Sequence, residues 1–538
     1  MLSMSQIRHC ARRSSTSSRT VSTVVPHFDI PAVDFSDSKL AFATKSTGEL
    51  FRAWAVLYGC TFNSLTKRAD WLYNLSVSVL GDKYAHLLIE KTLFRHFCAG
   101  TNEKDITGPI RRLNSVGVGG ILDYAAESEE KDEDEIVEGK LVLKSLAQAR
   151  VNVYSSEEKC DENTRIFKHA VRAVFNVSPR GFAAIKLSAL GEPALLERMS
   201  VALVEIESLF AKVSDNNVHL TFDQFVLGWN RLFNETSISE LRETFNTFDK
   251  NNDGVIDIVD WIGSLSLIDL SQLVQTCRVK GPLFNSALSS EELKLMQNLL
   301  CRCDDICHLA DELKVRVMID AEWSAIQPAI DNITMNMQKK YNHQSGAHPN
   351  TPIIFSTYQT YLRGSYDRVV RDLDRAKREN WNFGAKIVRG AYMIGERERA
   401  RKLDLISPIF DTYKDTEANY HRVLDMLISD PSRHTEIMVA SHNAHTMQFV
   451  LSQMNKHGKN PKHVYFGQLL GMADHLTFIL AAKKFQAYKY IPYGPVNEVM
   501  PYLIRRTQEN STLLGTPAVV EERKMIAKEL RRRVFSWN

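Results

Sequence analysis

Two arginines stand side by side in the stretch VMPYLIRRTQEN, residues 499–510. On a helix Tyr502, Arg505, Arg506 and Glu509 fall at i, i+3, i+4 and i+7 and so share one face. A solvated face with an Arg–Glu pair produces the same pattern. Two adjacent guanidiniums are also a clamp for a small carboxylate, because each offers a planar fork of donors. A second kind of chemistry is written in DKNNDGVIDIVD, Asp249 to Asp260. Asp249, Asn251, Asp253, the Val255 carbonyl, Asp257 and Asp260 occupy the coordinating positions of an EF-hand loop, with Gly254 at its sharp turn. Asp260 stands where a bidentate glutamate is usual. The shorter side chain weakens Ca2+ binding and favours Mg2+, and a relic loop without metal is the alternative.

Other candidate constellations carry less. In CRCDDICH, Cys301, Cys303, Cys307 and His308 lack the paired CxxC units of a zinc site, and the stretch continues as a helix into LADELK. SHNAH is not HExxH, and no Ser-His-Asp order or nucleophile elbow is present.

Residues of this kind must be positioned by something, and the pattern of apolar runs says what. Short strand-like segments rich in β-branched residues occur at 119–127, 182–189, 315–322, 352–359, 384–392, 436–443, 463–470 and 487–494. Each is followed by a helix-period segment, as in YDRVVRDLDRAKREN or HTMQFVLSQMNKHG. Eight strand–helix alternations predict a closed (β/α)8 barrel. A doubly wound open sheet is the alternative, but no GxGxxG follows the first strand. Barrel sites gather at the C-terminal ends of the strands. There the sequence offers Lys186, Asp320, Glu322, Tyr358, Gln359, Arg389, Tyr392, Ser441, His442, Asn443, Gln468 and Tyr490. With Lys386, Arg505 and Arg506 the lining is cationic, which suits an anionic substrate and a phosphorylated or electron-accepting cofactor.

The remaining segments frame the barrel. Residues 1–28 hold Arg8, Arg12, Arg13 and Arg19, many Ser and Thr and no acid, the composition of a mitochondrial transit peptide. A helical region spans 29–116, the barrel 117–515, an EF-hand-like insertion 214–268, and a basic helix or tail 516–538. The run ESEEKDEDEIVEGK reads as a solvated loop. A net charge of +3 without a basic stripe argues against nucleic acid, and eight scattered cysteines fit a reducing compartment. No apolar run is long enough to span a membrane.

The motifs IDAEW, FSTYQTYL, KIVRGAY, ASHNAHT, GQLLGM and YLIRRTQEN occur here in an order, and at intervals, that resemble the proline dehydrogenase family in its eukaryotic mitochondrial form. The resemblance implies a distorted (β/α)8 barrel that binds FAD noncovalently, oxidises L-proline to 1-pyrroline-5-carboxylate and passes electrons to quinone. It further implies peripheral association with the matrix side of the inner mitochondrial membrane. By the same resemblance Arg505, Arg506 and Lys186 would pair with the proline carboxylate, with Asp320 orienting Lys186 and Arg506. Tyr490 and Tyr502 would wall the pyrrolidine ring, and Tyr392 would help close the pocket. Gln359, Lys386, Arg389, Gly390, Ala391, Ser441, His442, Asn443 and Glu509 would contact the cofactor. Bacterial members carry arginine at the position of Lys386, so Arg389 would share its role. Hydroxyproline oxidation is the nearest alternative, and Tyr490 argues against it by filling the space a 4-hydroxyl needs. A calcium-responsive, non-catalytic barrel is the alternative of another class.

Overall fold

The computed structural model describes residues 28, 30–59, 78, 81, 84, 90–124, 156–214, 219–496, 499–500, 502–503 and 517–535. The expected leader, the acidic run at 127–140, and Arg505, Arg506 and Glu509 lie outside the described residues.

Eight strands close into one barrel: β1 (Val118–Tyr124), β2 (Phe182–Ile185), β3 (Arg316–Ile319), β4 (Ile354–Gln359), β5 (Phe383–Val388), β6 (Thr435–Ala440), β7 (Val464–Leu469) and β8 (Gln486–Tyr493). Their order around the barrel is β1-β8-β7-β6-β5-β4-β3-β2, and every neighbouring pair is parallel. All eight expected strands are present. Helices on the outside bury one strand face and barrel filling buries the other, so the strands read as near-continuous apolar runs.

The interior is filled rather than open. Ile121, Phe182, Ala184, Met318, Phe355, Met438, Tyr465 and Tyr488 form one buried cluster with Tyr490 packed against it. Phe182 lies at its hub, edge-on to Phe355, Tyr465 and Tyr488 at centroid distances of 5.3, 5.4 and 5.2 Å. Such edge-to-face contacts add to the stabilisation from burial alone. Beside this cluster Arg316 lies 3.6 Å from Glu436, whose carboxylate also accepts from the Tyr465 hydroxyl at 2.6 Å.

Several expected strands ran too far at their C-terminal ends, and the structure gives the reasons. After Ile185 the chain turns into a short 3-10 segment, Leu187–Ala189, and β3 ends at Ile319. At the end of β5 the Val388 and Arg389 carbonyls accept from the amides of Thr360 and Tyr361, both at 2.9 Å, and the regular ladder stops at Val388. Gly390 then takes φ +148, and a Cβ there would lie 2.2 Å from the Tyr361 ring. Glycine is required at that approach.

Between β2 and β3 the described insertion holds helices Phe222–Leu232, Ile238–Phe248, Ile258–Gly263 and Leu267–Gln275. His219–Leu220 pairs antiparallel with Ile256–Asp257, so the eighth position of the Asp249–Asp260 loop faces Leu220. Phe225 joins Phe245, Phe248 and Trp261 in a small aromatic core, and Trp261 Nε1 donates to the Ile206 carbonyl at 3.1 Å. Arg378, at the end of the helix Ser365–Arg378 that follows β4, reaches across to Asp257 at 2.6 Å. Cys301, Cys303, Cys307 and His308 all lie on one helix, Ser290–Leu313, with Cys303 and Cys307 buried in the core.

The two ends of the described chain meet. Arg533, on the helix Pro517–Phe535, donates to the Phe42 and Lys45 carbonyls, both at 2.7 Å. Glu522 on the same helix accepts from the amides of Ala473 and Asp474, and Lys45 pairs with Asp474. Among the described residues no helix is long and apolar enough to cross a membrane.

Candidate active site

Side chains alternate faces along a strand, so the groups above the filled interior can be counted from it. Two residues beyond inward-facing Ile121 comes Asp123; beyond Ala184, Lys186; beyond Met318, Asp320; beyond Tyr488, Tyr490. Gln359 lies four beyond Phe355, and Lys386 stands in register with Thr357 and Met438. The expected site residues Lys186, Asp320, Gln359, Lys386 and Tyr490 are thus gathered in one polar layer at the C-terminal mouth.

The centre of that layer is the Asp320 carboxylate. One oxygen pairs with Lys386 Nζ at 2.5 Å, and the other accepts from the Tyr490 hydroxyl at 2.7 Å. Lys386 Nζ also sits 5.1 Å from the Tyr490 ring centroid, within cation–π range. Lys386 and Asp320 are only 6% and 9% exposed, so this is a buried ion pair, which tolerates the loss of neither partner. Asp320, expected to orient Lys186 and Arg506, is seen to hold Lys386. Burial pushes the Tyr490 phenol well above its ordinary range, reinforced by the negative charges of Asp123 and Asp320. Asp123 is a member of the layer that motif reasoning missed. The period of two along β1 was the signal that could have found it.

Glu322 lies just beyond, fully buried, and accepts from both the amide (3.0 Å) and the hydroxyl of Ser188. It thereby holds the turn that follows Lys186. Burial raises its carboxyl above the usual range, while Ser188 and the nearby Lys186 charge pull the other way. Gln359 donates to the Glu322 carbonyl at 2.7 Å, and Gln327 accepts from its amide at 2.7 Å. Tyr392 is buried beside Trp323, rings edge-on at 6.4 Å. Tyr502 is buried in a separate apolar cluster with Val499, Met500 and Leu503.

Arg389 defines the neighbouring part of the mouth. It donates to Ser441 Oγ at 2.7 Å and Thr446 Oγ1 at 3.0 Å, with its guanidinium 4.5 Å from the Tyr420 ring. Its Nε is buried with no hydrogen-bond partner among the described residues, and Glu417 comes only to 3.8 Å. A partly buried guanidinium at the mouth is a group of the kind that can meet the phosphate of a nucleotide cofactor. The residues around it are partly committed to the fold. His442 Nε2 accepts from the Leu469 amide at 3.0 Å, which leaves the ring proton on Nδ1. Asn443 caps the helix Ala444–His457 by accepting from the amides of His445 and Thr446. Gly390 and Ala391 are exposed on the rim. Ligand atoms of Glu417, His421 and His445 lie within 4.8 Å of one another on this rim, where Arg389 already supplies positive charge.

At the insertion, both oxygens of Asp249 accept backbone amides, from Asp253 at 3.1 Å and Gly254 at 2.9 Å. Asp253 accepts from the Val255 amide, and Asn251 donates to Asp253. Burial pushes Asp257 up, but backbone amides and Arg378 outweigh it and hold its carboxyl below the usual range. Burial and then the Asp257 charge raise Asp260 to about 6. Arg378 lies 3.8 Å from Asp260 as well, so a guanidinium already faces two of the six expected metal positions.

A closed parallel barrel with a filled axis and a polar layer of charged groups at its C-terminal mouth is the architecture of a (β/α)8 barrel enzyme. The sequence model of the proline dehydrogenase family matches residues 232–516. The chain is 36% identical to Drosophila melanogaster proline dehydrogenase 1, mitochondrial, covering 95% of this chain and 82% of that one. It is 35% identical to the Homo sapiens protein of the same name, covering 95% and 91%. A crystal structure of proline utilization A from Bdellovibrio bacteriovorus matches with a TM-score of 0.53 at 14% identity, covering 91% of this chain. The present chain spans 40% of that longer protein, and the likeness is one of fold. The chain belongs to the proline dehydrogenase family of oxidoreductases, and its full-length similarity is to eukaryotic members.

Proposed function

We propose that this chain oxidises L-proline to 1-pyrroline-5-carboxylate in the mitochondrion, with FAD at the barrel mouth and a membrane quinone as final acceptor. The observation that carries the reading is the Asp320 carboxylate bridging Lys386 and Tyr490. This arrangement fixes a cation and an aromatic wall side by side above a filled floor.

FAD, when bound, supplies the acceptor for the hydride that leaves C5 of proline. The protein's own residues do the rest. Arg505 and Arg506, with Lys186 on the β2 side, hold the substrate carboxylate by charge and fork geometry. Tyr490 and Tyr502 offer apolar surface to the three ring methylenes, and Tyr392 with Trp323 closes the side of the pocket. Exclusion of water favours the neutral amine, whose lone pair must be available as the C–H bond breaks. Arg389, with Ser441, His442 and Asn443 around it and the exposed rim of Gly390 and Ala391, is the candidate cradle for the cofactor phosphates. Gln359, Lys386 and Glu509 complete the cofactor set. A divalent cation at the Asp249–Asp260 loop belongs to the same proposal, as a weak site in which the ion competes with Arg378.

The test is spectroscopic. Purified protein is expected to be yellow and to bleach on anaerobic addition of L-proline, with trans-4-hydroxy-L-proline bleaching it far more slowly. A folded protein that carries no flavin after reconstitution, or a yellow one that proline leaves unbleached, overturns the reading.

A further inference from the structure

The stretch that carries Arg505 and Arg506 lies between Leu503 and Pro517, and both of its flanks are fastened to the same short loop. That loop, residues 469–474, leaves β7 at the barrel mouth. On the near flank, Leu503 is buried in one apolar cluster with Met472, Phe94 and Phe97, and Leu469 packs against that cluster. On the far flank stands Glu522, buried on the helix Pro517–Phe535. Its carboxylate accepts from the Ala473 amide at 2.8 Å and from the Asp474 amide at 2.7 Å, one oxygen to each. These amides open the helix Asp474–Ala482, where the helix dipole favours a negative charge.

The loop is in turn held against the site. Lys489, fully buried on β8, donates to the Leu469 and Met472 carbonyls at 3.2 and 2.6 Å and pairs with Asp474 at 2.7 Å. Alternation along the strand sends Lys489 to one face and Tyr490 to the other, so neighbouring residues grip the loop and wall the mouth. The Tyr490 carbonyl also accepts from the Leu470 amide at 2.9 Å. Lys45 pairs with Asp474 as well, so two lysines and two carboxylates meet here and their charges balance. Ala473 takes φ +50, a left-handed conformation that a non-glycine residue keeps only where its surroundings impose it.

We propose that residues 469–474, clamped by Lys489 and gripped by Glu522, are the post that positions Arg505 and Arg506 for the proline carboxylate. Glu522 is then a positioning residue, acting through the arginines without touching substrate. The proposal rests on the function above, which assigns the arginines to that carboxylate.

The experiment is steady-state kinetics of the full-length flavoprotein with proline and a water-soluble dye, with rates expressed per bound flavin. The carboxylate carries the same charge in substrate and transition state, so loosening its partners weakens both alike and appears in KM. Glu522→Ala should raise KM about tenfold or more, as misplaced binding groups do, with kcat within about twofold of wild type. Glu522→Gln keeps an acceptor for one amide and should raise KM by a smaller factor. It carries the comparison if the alanine variant does not fold. Arg533→Met loosens the far end of the same helix and should lower the melting temperature while leaving KM unchanged. In an Arg506→Met background Glu522→Ala should raise KM by a smaller factor than in wild type, because the two act through one contact. A normal KM in the folded Glu522 variants, an equal rise in Arg533→Met, or equal factors in the two backgrounds overturns the proposal. A wild type that proline leaves unbleached overturns the functional reading and this proposal together, and is told apart by the wild-type assay alone.

Discussion

The Tyr490 hydroxyl, on β8, lies 2.7 Å from Asp320, just past the end of β3, although the two are 170 residues apart. The bond joins an aromatic wall to the carboxylate that holds Lys386. Removing the hydroxyl by Tyr490→Phe leaves Asp320 one donor short. A hydrogen bond to a charged group is worth about 1.5–3 kcal/mol, so kcat/KM for proline should fall roughly 10- to 100-fold. Lys386→Met should be worse, because it strands a buried carboxylate at a cost of about 3–5 kcal/mol. Steady-state kinetics with flavin content measured in parallel checks both. A Tyr490→Phe enzyme with wild-type kcat/KM would make the bond merely structural.

Arg505→Met and Arg506→Met should each raise the KM for proline while the protein stays yellow. Loss of one partner of a desolvated charge pair costs about 2–5 kcal/mol, which is about 30-fold or more. If both variants keep near-normal KM, the arginines form a solvated face and the carboxylate is held elsewhere.

Arg378 and a divalent ion should exclude one another at Asp257 and Asp260. Wild type is expected to take up Ca2+ or Mg2+ with Kd on the order of 10⁻⁴ M or weaker, near the weak limit of EF-hand sites. Arg378→Met should melt lower in chelator, yet bind the ion more tightly and recover part of its melting temperature in millimolar ion. Calorimetry and melting curves on both proteins decide it. No heat and no shift in either protein makes the loop a relic.

His96 should make the protein acid-sensitive above the usual carboxylate range. Burial, and then the Lys45 charge, lower its pKa to about 4 against Asp474 and Glu522, which pull it upward, and Arg52, which adds to the lowering. Its Nε2 has no hydrogen-bond partner among the described residues. The folded protein therefore wants the ring neutral. The contribution is fully present above about pH 6.5 and is lost as pH falls toward 4, about 2 kcal/mol by pH 5. Melting temperatures at pH 7, 6 and 5 should fall less steeply for His96→Gln than for wild type. Equal slopes would remove His96 from the account.

The barrel was legible because its strands are short β-branched runs and its helices keep their period over many residues. Strand ends were not, because Lys186 and Gly390 leave the ladder for reasons that lie elsewhere in the chain, at Glu322 and Tyr361. Motifs pointed to Asp320, Lys386 and Tyr490 but not to their mutual bonds, nor to Asp123, which needed counting along β1 from Ile121. The metal-type loop could be read from its spacing. Its resident cation could not, since Arg378 comes from 121 residues away on another element.

Phe182, seated against three aromatic rings, has a kinetic meaning. It closes the axis, so under the proposed function amino acid, imine and electron acceptor would all use one opening. The acceptor would then be barred while proline is seated, and proline while the acceptor is. Turnover should therefore alternate between two half-reactions, giving parallel lines in double-reciprocal plots. Excess of either partner should inhibit competitively against the other.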